Sequence, residues 1–238
     1  MPKKLWKPLE SNPDVLNEFM AKLGVTSKTH AFTDILGLDP ELLNMVPQPV
    51  VAVIMCYPIT KDSEAAARQE DAEQASSPPA GGADVFFMKQ TIGNACGTIA
   101  LLHSLGNLQG QLTIAPGSFL AHFLAATAGM TPEARGKFLE DPPEGSPDIE
   151  AAHQAAAAEG DSAQVPDNEV VNLHFVTFIL KDGLLWQLDG RRQGPVCNGP
   201  TSPDTLLQDA AAVVKQFAER AKSIHFNLLA LAAAETEN

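Results

Sequence analysis

Residues 172–190 read NLHFVTFILKDGLLWQLDG. Two apolar runs rich in β-branched and aromatic residues flank Asp182 and Gly183, the pair favoured by a two-residue hairpin turn, whose central positions need positive φ. Lys181 then falls opposite Leu184, and counting outward puts Asp189 opposite Val176. His174, two residues from Val176, shares the face of Asp189 as its diagonal neighbour. Such neighbours lie about 7–8 Å apart at the backbone, a gap that His and Asp side chains close with a hydrogen bond. A carboxylate in that position fixes the imidazole tautomer and stabilises the imidazolium. On its own the pair is equally consistent with a structural contact at a strand end.

Upstream, residues 85–107 read VFFMKQTIGNACGTIALLHSLGN. A short extended piece leads through Gly93 and Asn94 into an apolar helix carrying Ile99, Leu102 and Leu105. With Asn94 as N-cap, Cys96 lies in the first turn. There the unpaired backbone N–H groups and the positive end of the helix dipole favour a thiolate. Position alone leaves Cys96 more often a small buried hydrophobe than a nucleophile. Gln90, six residues earlier, is placed to offer an amide N–H beside the sulfur, where a tetrahedral oxyanion forms.

The remaining elements follow from caps and periodicity. NPDVLNEFMAKLG (12–24) is a helix with Asn12 as N-cap, Pro13 in its first turn and Gly24 past its end. Asp39-Pro40-Glu41 starts a short helix. VVAVIMCY (50–57) is continuously apolar, as in a strand buried on both faces, with Cys56 in a packing role. Residues 61–82, rich in Ala, Glu, Gln, Ser, Pro and Gly, offer no core face and read as a surface helix fragment plus flexible loop. Helices are expected around 118–128 and from Thr131 and Pro132 to Glu140. Residues 141–169 read as a largely coreless loop. A last helix over 203–220, capped by Ser202, precedes the strand HFNLLALA (225–232). His103 and His122 on helices, His153 in the loop and His225 at the last strand read as structural.

The 238 residues, 45% hydrophobic, suit one domain spanning 1–238. A net charge of −13 with no Lys/Arg cluster argues against a nucleic-acid partner. The longest apolar runs are far short of the roughly 20 residues a membrane span needs, and the N-terminus lacks a signal-peptide core. A cytoplasmic protein, with the nucleus also open to it, is expected. Three scattered cysteines, Cys56, Cys96 and Cys197, form neither a disulfide framework nor a CxxC pair. No HExxH, P-loop or GxGxxG pattern occurs, so no metal, nucleotide or other cofactor is expected.

QTIGNACGTIALLHSL closely resembles the nucleophile segment of the ubiquitin C-terminal hydrolases, and NLHFVTFILKDGLLWQLDGR resembles their histidine–aspartate hairpin. The resemblance runs over nearly the whole chain, through WKPLESNPDVLNEF, LGLDPELLNMVPQPVVAVI and the terminal HFNLLALAA. It implies an α/β (α+β) fold of the papain-like cysteine protease kind, a central antiparallel sheet flanked by helices, and a thiol protease acting after the terminal glycine of ubiquitin. By position Cys96 is implied as nucleophile, His174 as general base and acid, Asp189 as orienting carboxylate and Gln90 as oxyanion-hole donor. Pro8, Leu9, Glu10, Ser11, Asn12 and Pro13, with Ser223, Ile224, His225, Phe226, Asn227 and Leu228, resemble ubiquitin-contacting segments. Asp34 resembles a contact that helps choose between ubiquitin and a related ubiquitin-like modifier.

Within 141–169 lies the counterpart of the family's crossover loop, which limits the size of the group attached to ubiquitin; here it is Ala-rich where relatives are more varied. The chain resembles the small members of the family, so small adducts, precursors and peptide-tailed ubiquitin are the expected substrates. Ubiquitin is the expected partner and monomer the default state. Two rivals remain at this level: a module that binds ubiquitin without cleaving it, and another papain-like thiol acyl-transfer enzyme.

Overall fold

The computed structural model describes residues 4–26, 28–76, 81–82, 84–160, 169, 171–221 and 225–234. Strands β1 (His30–Asp34), β2 (Val50–Pro58), β3 (Leu173–Lys181), β4 (Leu184–Leu188), β5 (Val196–Pro200) and β6 (Asn227–Ala233) form a single sheet. Their spatial order is β1-β6-β2-β3-β4-β5, and every adjacent pair is antiparallel. Around it pack α1 (Pro13–Lys22), α2 (Pro40–Leu43), α3 (Lys61–Ser76), α4 (Cys96–Asn107), α5 (Phe119–Ala126), α6 (Pro132–Glu140), α7 (Glu150–Glu159) and α8 (Leu206–Ala221). This is the α/β architecture expected from the sequence.

The central hairpin has the expected register: Lys181 pairs with Leu184 and Thr177 with Leu188. Asp182 (φ 53°) and Gly183 (φ 74°) hold the left-handed turn. The sheet is buried on both faces, which is why β2 and β3 read as unbroken apolar runs. On one face Ile54, Cys56, Phe175 and Ile179 join α1 and α4 in a core with Phe19, Leu101 and Phe123. On the other, Val53, Met55, Val176 and Phe178 meet Leu206, Ala210 and Val214 of α8. Helix α4 is buried along all its length from Cys96 to Gly106, so it is largely apolar, and its buried polar side chains Thr98, His103 and Ser104 are hydrogen-bonded.

Several expected boundaries move. Residues 61–76 are not a fragment but the 16-residue helix α3, although only Ser63 in it is buried. Ala, Glu, Gln and Arg are good helix formers. Thr60 and Ser63 also cap each other, Ser63 N donating to Thr60 Oγ1 (3.1 Å) and Thr60 N to Ser63 Oγ (2.9 Å). Residues 77–80 and 83 lie outside the described residues. The supposed loop 141–169 contains α7, which packs on α1, while 161–168 lie outside the described residues. The N-cap of α4 is Ala95; Asn94 sits in the left-handed region (φ 58°), and its side chain is used elsewhere. Helix α8 begins at Leu206 and β6 at Asn227, later than the caps suggested. Strands β1 and β5 carry little sequence signal, being short edge strands, one with Gly and Pro in it.

Two buried histidines tie this framework together. His153, placed by the sequence in a loop, lies on α7 and is buried; its Nε2 donates to the Lys7 carbonyl (2.7 Å) and its Nδ1 accepts from Thr98 Oγ1 (2.7 Å). It thus joins α7, the N-terminal segment and α4. His103 stacks on Phe87 with centroids 5.1 Å apart. Burial pushes both imidazoles down to about 4. Between that value and the ordinary 6.5, the unfolded chain binds two protons that the folded chain refuses. Stability is therefore present above pH 6.5 and is lost as pH falls toward 4. Roughly 2 kcal/mol per histidine is expected to go between pH 7 and pH 5. Urea midpoints at the two pH values measure it, and His153→Gln is expected to flatten the slope.

Candidate active site

The N-terminus of α4 meets the open end of the β3–β4 hairpin. Cys96 is the first residue of α4 and is almost wholly buried; its Sγ donates to the Leu173 carbonyl at 3.9 Å. One residue along β3, His174 Nε2 lies 2.6 Å from Asp189 Oδ1, the side chains only 3% and 7% exposed. Asp189 also accepts the Arg191 N–H at 2.8 Å.

The charge states follow from this geometry. Burial works against charge on His174, but the Asp189 charge and hydrogen bond outweigh it and, helped by Cys96, raise the imidazole to about 9. Burial also works against the Asp189 carboxylate, and His174, the Arg191 N–H and Arg192 hold it below the usual range nonetheless. An ionised carboxylate only accepts, so Nε2 is the donor and Nδ1 is free to serve the thiol. A buried imidazole held by a carboxylate beside a thiol at a helix N-terminus is the arrangement that activates a nucleophile.

A cleft of about 470 Å³ opens onto Cys96. Pro8 to Ser11 line one side and His225 to Asn227 another, with Cys56, Asn94, Leu173 and Phe175 also on its surface. Most of the expected contact residues are thus gathered around the thiol. Asn12 instead caps α1, its Oδ1 accepting from Asp14 N at 2.9 Å. Pro13 and Asp34 line a separate hollow of about 340 Å³. Leu228 is buried in β6 within the second core and does not line this cleft. Ser223 and Ile224 lie outside the described residues.

Gln90 is fastened at its backbone, where its N–H donates to Gly190 O at 2.9 Å. Its side-chain Nε2 donates to Ile92 O at 3.0 Å, which leaves the second Nε2 hydrogen for another acceptor. Gly190 has to be glycine here: a Cβ would meet Ile99 Cγ2 at 2.9 Å and Gln90 N at 3.0 Å. Asn94, expected as the N-cap of α4, instead uses its side chain to join segments: Nδ2 donates to Trp6 O (3.1 Å) and Glu169 O (3.0 Å), linking the N-terminal segment to the approach to β3. The available signal was an Asn next to a Gly just before a helix, since Asn is the residue after Gly that best tolerates the left-handed conformation. Among the described residues, no group of three or more His, Cys, Asp or Glu is placed to hold a metal ion.

Residues 6–219 match the family described as ubiquitin carboxyl-terminal hydrolase, family 1. Ubiquitin carboxyl-terminal hydrolase 3 of Arabidopsis thaliana is 45% identical over 229 residues, covering 96% of this chain and 94% of that protein. Ubiquitin carboxyl-terminal hydrolase isozyme L1 of Homo sapiens is 42% identical over 229 residues, covering 94% and 97%. The fold is similar to the Trichinella spiralis UCH37 catalytic domain bound to ubiquitin vinyl methyl ester, with a TM-score of 0.72 at 22% identity, covering 99% of this chain and 98% of that one.

Proposed function

The chain belongs to family 1 of the ubiquitin carboxyl-terminal hydrolases, and from that premise we propose that it cleaves bonds after the C-terminal glycine of ubiquitin, with Cys96, His174, Asp189 and Gln90 as its machinery. The reading rests on one observation above all, the buried 2.6 Å His174–Asp189 pair beside the Cys96 helix. The whole chain acts as one catalytic unit, since strands from both ends of the sequence share its sheet.

Once the Cys96 side chain turns from Leu173 toward His174, the neutral imidazole takes the thiol proton on Nδ1, and the thiolate–imidazolium pair forms. The thiolate attacks the glycine carbonyl carbon, and the oxyanion takes the free Nε2 hydrogen of Gln90. His174 gives its Nδ1 proton to the leaving amine as the C–N bond breaks. It then takes a proton from water, which attacks the thioester and releases the carboxylate and the thiol. The segments Pro8 to Ser11 and His225 to Asn227 hold the basic ubiquitin tail, to which an acidic protein offers a favourable field. Asp34 contributes to the choice between ubiquitin and a related modifier.

The three cysteines are unpaired and the nucleophile works only when reduced, which favours the cytoplasm or nucleus. Among the described residues no helix is long and apolar enough to cross a membrane. The test is ubiquitin carrying a fluorogenic C-terminal amide: the wild type is expected to release the fluorophore, with free ubiquitin competing. Tight binding with no release would instead identify a binding module.

A further inference from the structure

Helix α3 has almost no apolar attachment to the protein, yet four of its side chains reach the loops after β4. Glu64 pairs with Arg191 at 2.7 Å, while Glu70 and Asp71 take Arg192 Nη1 and Nε at 3.0 and 2.8 Å. Glu70 is shared with Arg220 of α8. Gln74 Oε1 accepts from Cys197 N at 2.9 Å, and its Nε2 donates to Pro195 O.

Of the arginines, only Arg192 has a buried side chain, 5% exposed against 43% for Arg191 and 49% for Arg220. Its backbone N–H closes a turn onto Asp189 O at 2.9 Å, and its carbonyl accepts from Lys89 Nζ. The residue that ends the Asp189 turn is therefore gripped at its carbonyl by the Lys89 ammonium and at its side chain by α3. A buried guanidinium held through two of its nitrogens has a fixed orientation, unlike an exposed pair that exchanges freely with water.

We propose that Arg192 is a positioning residue for Asp189, and that α3 serves the active site as the carboxylate anchor of that arginine. The proposal rests on the hydrolase reading above and adds to it a residue and a helix that never touch substrate. Asp189 has to meet His174 at one separation and angle, and a turn free to rotate at its far end would let the carboxylate wander. Besides each other, His174 and Asp189 face Cys96 and His103 of α4, Tyr57 of β2, and Arg191 and Arg192 of the turn. Deleting the Arg192 charge by itself would favour the imidazolium. Loosening Asp189 would disfavour it, and the proposal states that loosening prevails.

The test compares Arg192→Met, the double variant Glu70→Gln/Asp71→Asn, and the triple variant combining them. On the ubiquitin fluorogenic amide, kcat is expected to fall about 10- to 100-fold, as for a slightly misplaced catalytic group. KM is expected to stay within about twofold, since substrate binding is not touched. In NMR titrations the His174 imidazole is expected to lose its proton at lower pH than in the wild type. The triple variant is expected to be no worse than either parent, because both break one connection, and Arg192→Lys to recover part of kcat. Should Arg192→Met not fold, the α3 double variant carries the same test. Loss of thermal stability with kcat and the His174 titration unchanged would overturn the proposal, as would additive losses in the triple variant. If the wild type itself releases no fluorophore, the hydrolase reading falls and the His174 titration alone decides the role of Arg192.

Discussion

Cys96→Ala is expected to lower turnover of a ubiquitin C-terminal amide by about 10⁶-fold, the scale seen when a covalent nucleophile is removed. Neither Gln90 nor the His174–Asp189 pair can form the thioester, so what survives is only water attack on a bound carbonyl. Ubiquitin affinity is expected to be retained, because the walls of the cleft from Pro8 to Ser11 and from His225 to Asn227 are untouched. Calorimetric titration of ubiquitin against the variant, beside the fluorogenic assay, separates the two effects. Residual turnover within tenfold of wild type would mean that another group is the nucleophile.

Asp189→Asn is expected to cut kcat by about 10⁴-fold, as loss of the orienting carboxylate does in comparable triads. An asparagine can occupy the same space but brings no charge, and its NH₂ can face His174 and leave the ring in the wrong tautomer. The pH dependence carries a second signature. Burial opposes protonation of His174, and the Asp189 charge reverses the balance, raising the imidazole to about 9. A raised folded-state value means that the pair's stabilisation is complete below the unfolded value of 6.5 and is lost as pH rises toward 9. The alkaline limb of kcat/KM is therefore expected near pH 9 in the wild type, where the imidazolium is given up, and at distinctly lower pH in Asp189→Asn. A limb that does not move between the two would show that Asp189 does not set the charge of His174.

Much of this site was legible because hairpins obey arithmetic. Once Asp182-Gly183 was identified as the turn, the pairing that brings His174 to Asp189 followed with no knowledge of the rest of the chain. The caps of α1 and the doubly buried β2 were equally local signals. What could not be read was whatever depends on partners distant in sequence. Helix α3 lacks the apolar stripe by which helices are recognised, and its anchors, Arg191, Arg192, Pro195, Cys197 and Arg220, lie more than a hundred residues away. Helix α7 was lost in an alanine-rich stretch because small residues give little periodic contrast, although Ala156 and His153 are buried. Asn94 matched the pattern of an N-cap, but three backbone partners from other segments, Trp6, Glu169 and Val171, compete for its side chain. Leu228 sits beside the cleft segment in sequence, but both faces of β6 are covered, and its side chain packs in the second core.

Helix α3 also fixes how freely its own sequence can change. A helix held by a packed face is constrained at every third or fourth position, and its history is written in hydrophobic periodicity. Here Ala65, Arg68, Gln69, Ala72, Glu73 and Ala75 are exposed, and any good helix former should serve in their place. Variation is confined instead at Ser63, which caps the helix with Thr60, and at Glu70, Asp71 and Gln74, which change only together with their distant partners. Saturation mutagenesis across residues 61–76 should therefore return a nearly flat landscape broken by four sharp positions, in a stretch whose composition alone marks it as dispensable.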